Sequence, residues 1–348
     1  MPPSSYIVTV LLLGSLCAMP AFSIDTFLPA MPALANDLSV DPGTIQLTLA
    51  AYVFGAAAGQ LLLAPLSDSL GRRPALFGGL ALYIAAGLGC CFATSPEMLA
   101  ILRFCQGSST FAGRILPRAM ARDMYDREDA ARLISYMMVF GGLAPIIAPI
   151  AGAYFSVSFG WRAVFVFMVV YGAAVFLLTG LFLKETLPAE RRIRINPLSM
   201  IVNFGQLVRN RAFLSYGTCV FLVMGALMAF LTSTSSTALI MLGKTPWEFA
   251  IASSGVMFGY MVSSVIAGRI VGKLGLERLI GLGSAVAALS GLILLGQALS
   301  GINTLSAIML PMVGIMVALA FVVPAGTAGA ISPFGHMAGS AMANFGFL

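Results

Sequence analysis

The sequence predicts an all-α integral membrane protein, and three observations carry that prediction. Only 9% of the 348 residues are charged, while 59% are hydrophobic and the mean hydropathy is +0.97. A soluble domain carries about 25% charged residues, so this chain cannot cover a water-facing surface. The apolar residues fall into successive runs of the length, about 20 residues, that a hydrocarbon core of ~30 Å asks of a helix. The basic residues are gathered into alternate connections between those runs.

Hydropathy and helix breakers place spans near 6–32, 45–66, 75–94, 97–117, 133–156, 161–183, 212–241, 248–271, 279–300 and 305–331, with an eleventh starting near 336. The first is read as a span and not as a secretory signal. No Lys or Arg precedes Arg72, so the basic leader region is missing, and the apolar run continues through Pro29 toward Leu34. Arg72 and Arg73 follow span 2, and Arg118, Arg122, Arg127 and Arg132 follow span 4. Six basic residues lie between Lys184 and Arg211, and Arg269, Lys273 and Arg278 surround the turn after span 8. The intervening loops hold little beyond Arg162 and Lys244. The positive-inside rule makes the basic loops, and the N-terminus with them, cytoplasmic. The net charge of +6 is therefore a topology signal and does not point to nucleic acid.

The hydrophilic stretch 184–211 divides an N-terminal six-helix bundle, 1–183, from a C-terminal bundle, 212–348. Within it, 196–209 mixes apolar and polar residues at helical spacing, which predicts a short amphipathic helix on the inner leaflet. A weak repeat supports two halves: Gly59-Gln60 near the end of span 2 and Gly259-Tyr260 in span 8 each precede a basic turn containing Gly71 or Gly275. The eleventh span has only 336–348, about 20 Å at 1.5 Å per residue. The expectation is thus a C-terminal half truncated after about ten full helices. Cys17, Cys90, Cys91, Cys105 and Cys219 all fall in apolar runs at no metal-ligand spacing and read as reduced packing residues.

Charges inside spans are costly and therefore informative. Arg103 lies in span 4 about 9 Å below its outer edge, and Asp25, the one acidic residue well inside a span, lies about 10 Å below the same edge of span 1. Matching depths make Asp25 the expected partner of Arg103. A buried carboxyl that can be neutral or charged is also suited to load and release a proton. In span 5, Pro145 and Pro149 lie four residues apart on one face, among Gly141, Gly142 and Gly152. Each proline removes a helical hydrogen bond, and the glycines permit close packing. Asp68 sits where a helix dipole disfavours an anion and needs compensation from Arg72 or Arg73. Thr232, Thr234 and Ser235 belong to a hydroxyl run in span 7 that either faces a cavity or bonds back to its own helix. His336 alone makes neither a metal site nor a triad. No nucleophile–base pair and no phosphate-cradling loop is visible, which argues against an enzyme or an ATP-driven pump.

Four stretches resemble the major facilitator superfamily, and within it the bicyclomycin-resistance branch of drug:proton antiporters. Gly59 to Pro74, with Asp68, Gly71, Arg72 and Arg73, is similar to the loop that latches the cytoplasmic gate in that family, where the Asp faces the start of helix 11, here near Pro333–His336. Ala64 and Ser69 depart from its pattern. Arg103 with Gln106 and Gly107 resembles the helix 4 motif, whose Arg is implicated in proton coupling, and Asp25 before Leu28-Pro29-Ala30-Met31-Pro32 resembles this branch's first helix. Gly141 to Ala153, with Pro145, Pro149 and Gly152, resembles the antiporter motif. Arg118 to Tyr125 and Gly160-Trp161-Arg162 with Phe165 also look like this branch. Arg114 departs from the pattern, close enough to the cytoplasmic end to snorkel, and the resemblance gives it no role.

The resemblance implies a major facilitator fold of two six-helix halves in the bacterial inner membrane, a monomer without cofactor and powered by the proton gradient. Its expected partners are protons, lipid and small drug-like molecules, which it exports. Asp25 and Arg103 are expected to couple protons, and Asp68, Gly71, Arg72 and Arg73 to latch the inner gate. Thr232, Thr234 and Ser235 would line the cavity. The alternatives are a proton-coupled uptake permease, which the span 5 motif disfavours, and a non-transporting fragment.

Overall fold

A chain solvated by lipid must satisfy its backbone internally, and every regular element described in the computed structural model is a helix or helical turn. The structure describes residues 3–192, 205, 207 and 209–337. The chain divides into two units, Met1–Ile195 and Asn196–Leu348. The first contains α1 (Pro3–Asp25), a 3₁₀ turn (Leu28–Ala30), α2 (Met31–Asp37), α3 (Pro42–Ala58), a π turn (Gly59–Leu63), α4 (Leu66–Leu70), α5 (Arg72–Cys91), α6 (Pro96–Ser108), α7 (Phe111–Arg114), α8 (Leu116–Met124), α9 (Arg127–Phe159) and α10 (Arg162–Phe182). The second contains α11 (Arg211–Ser236) with a π turn (Thr237–Met241), α12 (Pro246–Leu274), α13 (Leu276–Leu299) and α14 (Leu305–Ile331). Among the described residues, nine helical stretches are long and apolar enough to cross a membrane. The expected amphipathic helix at 196–209, but for three of its residues, and the eleventh span beyond 337 lie outside the described residues.

Two expected spans are interrupted, each for a visible reason. Span 1 breaks after Asp25, because Pro29 has no N–H to give to the Asp25 carbonyl four residues earlier, and Pro32 likewise gives none to Leu28. The chain turns through Phe27 N–H to Ile24 O (3.1 Å) and Ala30 N–H to Phe27 O (3.0 Å) before α2 begins. Span 4, expected as one helix over 97–117, is three short ones, α6 to α8. The Ser108, Ser109 and Thr110 hydroxyls bond the carbonyls three residues back at 2.8, 2.6 and 2.6 Å. The Thr110, Ala112 and Gly113 N–H groups also bond three residues back and not four, which tightens the turn.

Helix starts follow local chemistry. Asp41, Ser95, Asn210 and Thr304 accept from backbone N–H groups of the first turns of α3, α6, α11 and α14, and Thr245 with Glu248 forms a capping box on α12.

In the first unit α1 packs on α9, α3 on α6 and α5 on α10; in the second, α14 packs against α11, α12 and α13. The closest approach is α3 to α6. A Cβ on Gly55 would overlap the Phe104 carbonyl, one on Gly59 the Ser108 carbonyl, and one on Gly107 the Tyr52 carbonyl. The weak repeat has a counterpart in geometry. Gly259 of α12 faces Val313 of α14 as Gly59 faces α6, and Gly71 and Gly275 turn into the following helices at φ of 109° and 78°. Only glycine adopts such a turn readily.

Gly55→Val should strain the α3–α6 contact by about 2 kcal/mol or more and sharply lower the yield of monodisperse protein on size exclusion. Gly78→Ala on α5, whose Cβ would meet nothing within 4 Å, should leave that yield unchanged.

Candidate functional site

Arg103 is fully buried, two helical turns into α6, the first piece of the broken span 4. Its Nη1 donates to Gln106 Oε1 (2.7 Å) and its Nη2 to the Ser23 carbonyl (3.0 Å), while Nε has no partner. Three ring faces surround the guanidinium: Tyr52 at 4.3 Å, Phe27 at 4.7 Å and Phe165 at 5.9 Å. Each such contact is worth about 0.5–2 kcal/mol, more where water is excluded. The Ser23 hydroxyl donates to Met19 O (2.8 Å), so the Tyr83 hydroxyl, 2.7 Å away, donates to Ser23. Four elements, α1, α3, α6 and α10, together with the turn after α1, thus meet on one cation.

The expected ion pair between Asp25 and Arg103 is not formed. Asp25 is buried, 6% exposed, and among the described residues its carboxyl makes no hydrogen bond or ion pair. The physical reason is azimuth. Residues two apart on a helix point away from each other, and the Ser23 side chain already faces Tyr83 of α5. Helix 1 therefore offers Arg103 a carbonyl and not its carboxyl.

Asp25 instead ends α1 at the break, where α9 comes closest. A Cβ on Gly152 would overlap the Thr26 carbonyl, so the glycine of the span 5 motif sits directly against the residue after Asp25. α9 runs unbroken through Pro145 and Pro149, and Pro149 is buried. Gln106 and Gly107 share the Arg103 cluster, and Gly59 lies one turn further along the same α3–α6 contact.

Asp68, Gly71, Arg72 and Arg73 form a second cluster at the basic end of the helices. Arg72 donates through Nη1 to Asp68 and Ser67 and through Nε to Asp123 (2.9 Å). Arg73 Nη2 donates to the Gly180 carbonyl in the last turn of α10 (3.0 Å), with its guanidinium over the Phe77 ring. Glu185, which nothing in the sequence singled out, completes the set. Its two oxygens accept from the backbone N–H groups of Arg72 (3.0 Å), Arg73 (3.1 Å), Thr186 (2.9 Å) and Leu187 (3.0 Å). Partial burial pushes the Glu185 pKa up, but the four N–H donors together outweigh it and hold the carboxyl below its ordinary value. The side chain of Arg73 thus caps α10 while that of Glu185 caps α5.

At the opposite end, Asp37 Oδ2 accepts from Trp161 Nε1 (3.0 Å) and Arg162 Nη1 (2.9 Å). In the second unit the Thr232, Ser233 and Thr237 hydroxyls bond back to Met228, Ala229 and Ser233 carbonyls. Thr234 and Ser235 are buried. The Arg114 side chain has no hydrogen bond or ion pair among the described residues, and the structure gives it no role.

Apolar helices carrying a buried arginine, a buried unpaired carboxyl and broken spans define a multi-pass membrane transporter. The chain belongs to the Major Facilitator Superfamily, whose family profile matches residues 11–348. That family is one of transporters and not of enzymes. The chain is 30% identical over 339 residues to "Uncharacterized MFS-type transporter YdgK" of Bacillus subtilis (strain 168), covering 97% of this chain and 84% of that one. It is 30% identical to the "Bicyclomycin resistance protein homolog" of Haemophilus influenzae over 85% of this chain and 74% of that one. It is 29% identical to the "Chloramphenicol resistance protein" of Pseudomonas aeruginosa over 96% and 79%. The two relatives named for drug resistance agree with the branch that the motifs resemble. Among solved structures, a point mutant of nucleoside transporter NupG superposes with a TM-score of 0.78 over 99% of this chain and 87% of that one, at 13% identity. At that identity the likeness is one of fold.

Removing the Glu185 cap should cost about 1 kcal/mol, the size of a helix cap. Because its folded pKa is depressed, the stabilisation is present above the unfolded carboxyl pKa, about 4.3, and is lost as pH falls through the folded value. Thermal unfolding of purified Glu185→Gln should therefore fall below wild type at pH 7, and the gap should close on acidification below pH ~4.

Proposed function

We propose that this chain is a proton-coupled exporter of small amphipathic drugs in the bacterial inner membrane, with its N-terminus in the cytoplasm. The observation that carries the reading is Asp25: a buried carboxyl with no partner among the described residues, at a break in helix 1 whose next residue, Thr26, lies against Gly152 of the span 5 motif. The names of two relatives, which refer to bicyclomycin and chloramphenicol resistance, support the drug class, and the Pro145–Gly152 motif supports export.

In this reading Asp25 takes a proton from the outer side and gives it up inside. The cost of a charged carboxyl in a membrane makes loading and release the events that separate two states. Arg103, held by Gln106 and Ser23, keeps the break in helix 1 in register and sets the field that Asp25 meets. Gly107 and Gly59 allow α3 and α6 the close packing that this needs. Asp68, Gly71, Arg72 and Arg73 form the inner gate, joined by Asp123 and Glu185. Major facilitator halves rock about a midplane site, and Thr232, Thr234 and Ser235 are the second half's candidate contribution to substrate lining. No cofactor is called for, since the proton gradient supplies the energy.

Everted membrane vesicles containing the wild-type chain should release protons when chloramphenicol or bicyclomycin is added after energisation. Asp25→Asn should lower that release on the order of tenfold or more, while drug binding to purified protein changes little, as expected for a group used in the coupled step and not in uniform binding. Full pH-dependent exchange in Asp25→Asn would remove the assignment. Proton uptake on adding drug would indicate import.

A further inference from the structure

Phe27 belongs to neither α1 nor α2. It lies in the break, so no continuous helix dictates where its ring sits, yet the ring is fully buried and carries the Arg103 guanidinium on its face at 4.7 Å. Something beyond the break must hold it. A chain of ring contacts leads outward from it: Phe27 packs on Phe165 with centroids 5.6 Å apart, and Phe165 packs edge-on against Trp161 at 6.1 Å and 88°. Phe165 also lies one helical turn along α10 from Trp161, so a shift of the indole moves directly against it.

Trp161 is itself fixed by chemistry. It is 5% exposed, and its Nε1–H donates to Oδ2 of Asp37, the last residue of α2. Arg162 donates to the same oxygen and lays its guanidinium over the indole at 4.1 Å. The Asp37–Arg162 pair by itself, with both side chains nearly half exposed (45% and 46%), is of the kind that contributes little. The indole N–H is different, because a buried donor left without an acceptor carries the full desolvation penalty. Asp37 is thus placed to lock α2 to the start of α10 and, through one indole ring, to set the outer side of the Arg103 site.

We propose that Trp161, anchored by Asp37, is a positioning residue for the Phe27–Arg103 site, acting through Phe165 and touching neither substrate nor proton. This rests on the proton-coupled reading for its effect on transport, but the linkage itself does not. If the rings are coupled, disturbing Arg103 or Phe27 must be felt at Trp161. Releasing Trp161 must in turn slow the coupled step without changing what binds.

The chain has two tryptophans, Trp161 and Trp247, so Trp247→Phe leaves Trp161 as the sole indole in the full-length protein. In that background the Trp161 emission spectrum of purified protein should shift in Arg103→Gln, in Phe27→Leu and in Asp37→Ala. Asp37→Asn, which keeps an acceptor oxygen for the indole, should return toward the parent. In everted vesicles Asp37→Ala should lower the turnover of chloramphenicol-driven proton release on the order of tenfold, the scale of a small misplacement at a reacting group. Its KM for chloramphenicol should stay near the parent's, and Asp37→Asn should recover most of the turnover. Emission unchanged in both Arg103→Gln and Phe27→Leu would overturn the linkage, and so would an Asp37→Asn protein no better than Asp37→Ala. Should Arg103→Gln fail to fold, Phe27→Leu alone decides. Should the parent release no protons with drug, the transport reading fails while the emission spectra still decide the linkage.

Discussion

A guanidinium that cannot shed its charge, buried where no water reaches it, is the constraint on which the N-terminal unit depends. Arg103 sits inside a span, and such a residue costs several kcal/mol unless its donors and its charge are answered. The protein answers the charge and two of the three donor nitrogens with a side-chain amide one turn away, a backbone carbonyl from helix 1 and three ring faces, and Nε is left without a partner. Each of these fixes a neighbour. The Ser23 carbonyl fixes the height of α1, Tyr52 requires α3 to lie almost in backbone contact with α6, and Phe165 fixes the rotation of α10. The glycines at 55, 59 and 107 follow from that demand, because the carbonyls opposite them leave no room for a Cβ. The break in helix 1, made by Pro29 and Pro32, serves the same demand, since it is from the turn there that Phe27 faces the guanidinium.

At both ends of the unit a carboxylate collects several donors where helices stop. Glu185 takes the backbone N–H groups of Arg72 and Arg73 at the start of α5 and of Thr186 and Leu187 beside it, and Asp37 takes an indole and a guanidinium at the start of α10. Helix ends have unsatisfied groups that lipid cannot satisfy. Glu185 ties such groups of α5 to the segment after α10 and so serves the backbone and the tertiary structure at once, whereas Asp37 ties two side chains. The arrangement at the basic end is reciprocal: α5 supplies Arg73 to the last turn of α10, and the segment after α10 supplies Glu185 to the first turn of α5. Arg72 then draws in Asp68 and Asp123, so the ends of α4, α5, α8 and α10 are tied to one another.

Much of this was legible in the residues, and the limits are instructive. Charges stranded in apolar runs are conspicuous, so Asp25 and Arg103 stood out, as did Asp68 beside Arg72. Depth could be counted along a helix at 1.5 Å per residue, and it put Asp25 and Arg103 at one level. Azimuth could not, because it depends on how two helices are rotated against each other, and there the expected ion pair failed. The break in span 4 was written in Ser108-Ser109-Thr110, whose hydroxyls compete for helical carbonyls, but hydropathy alone ran straight over it. Glu185 and Asp37 were hidden for another reason. A single acidic residue in a loop or at a helix end has no periodicity to mark it, and the partners that tie each one to another helix lie more than a hundred residues away in sequence.

The separation of Asp25 from Arg103 bears on how a proton could be carried at all. Had Asp25 been the counterion of Arg103, protonating it would have left a bare cation in the membrane, and breaking a buried pair in that way costs about 3–5 kcal/mol. The proton would then be opposed by the stability of the whole bundle, and a cycle built on it would strain the fold at every turn. Arg103 is instead satisfied by groups that do not titrate in the physiological range: an amide, a carbonyl and aromatic faces. None of these is Asp25, so in the proposed cycle Arg103 keeps the same hydrogen bonds and ring contacts whether that carboxyl is neutral or charged. In the proposed cycle the energy of protonation is therefore available to move the broken helix against α9, where Gly152 meets Thr26, and is not consumed in repairing the arginine site.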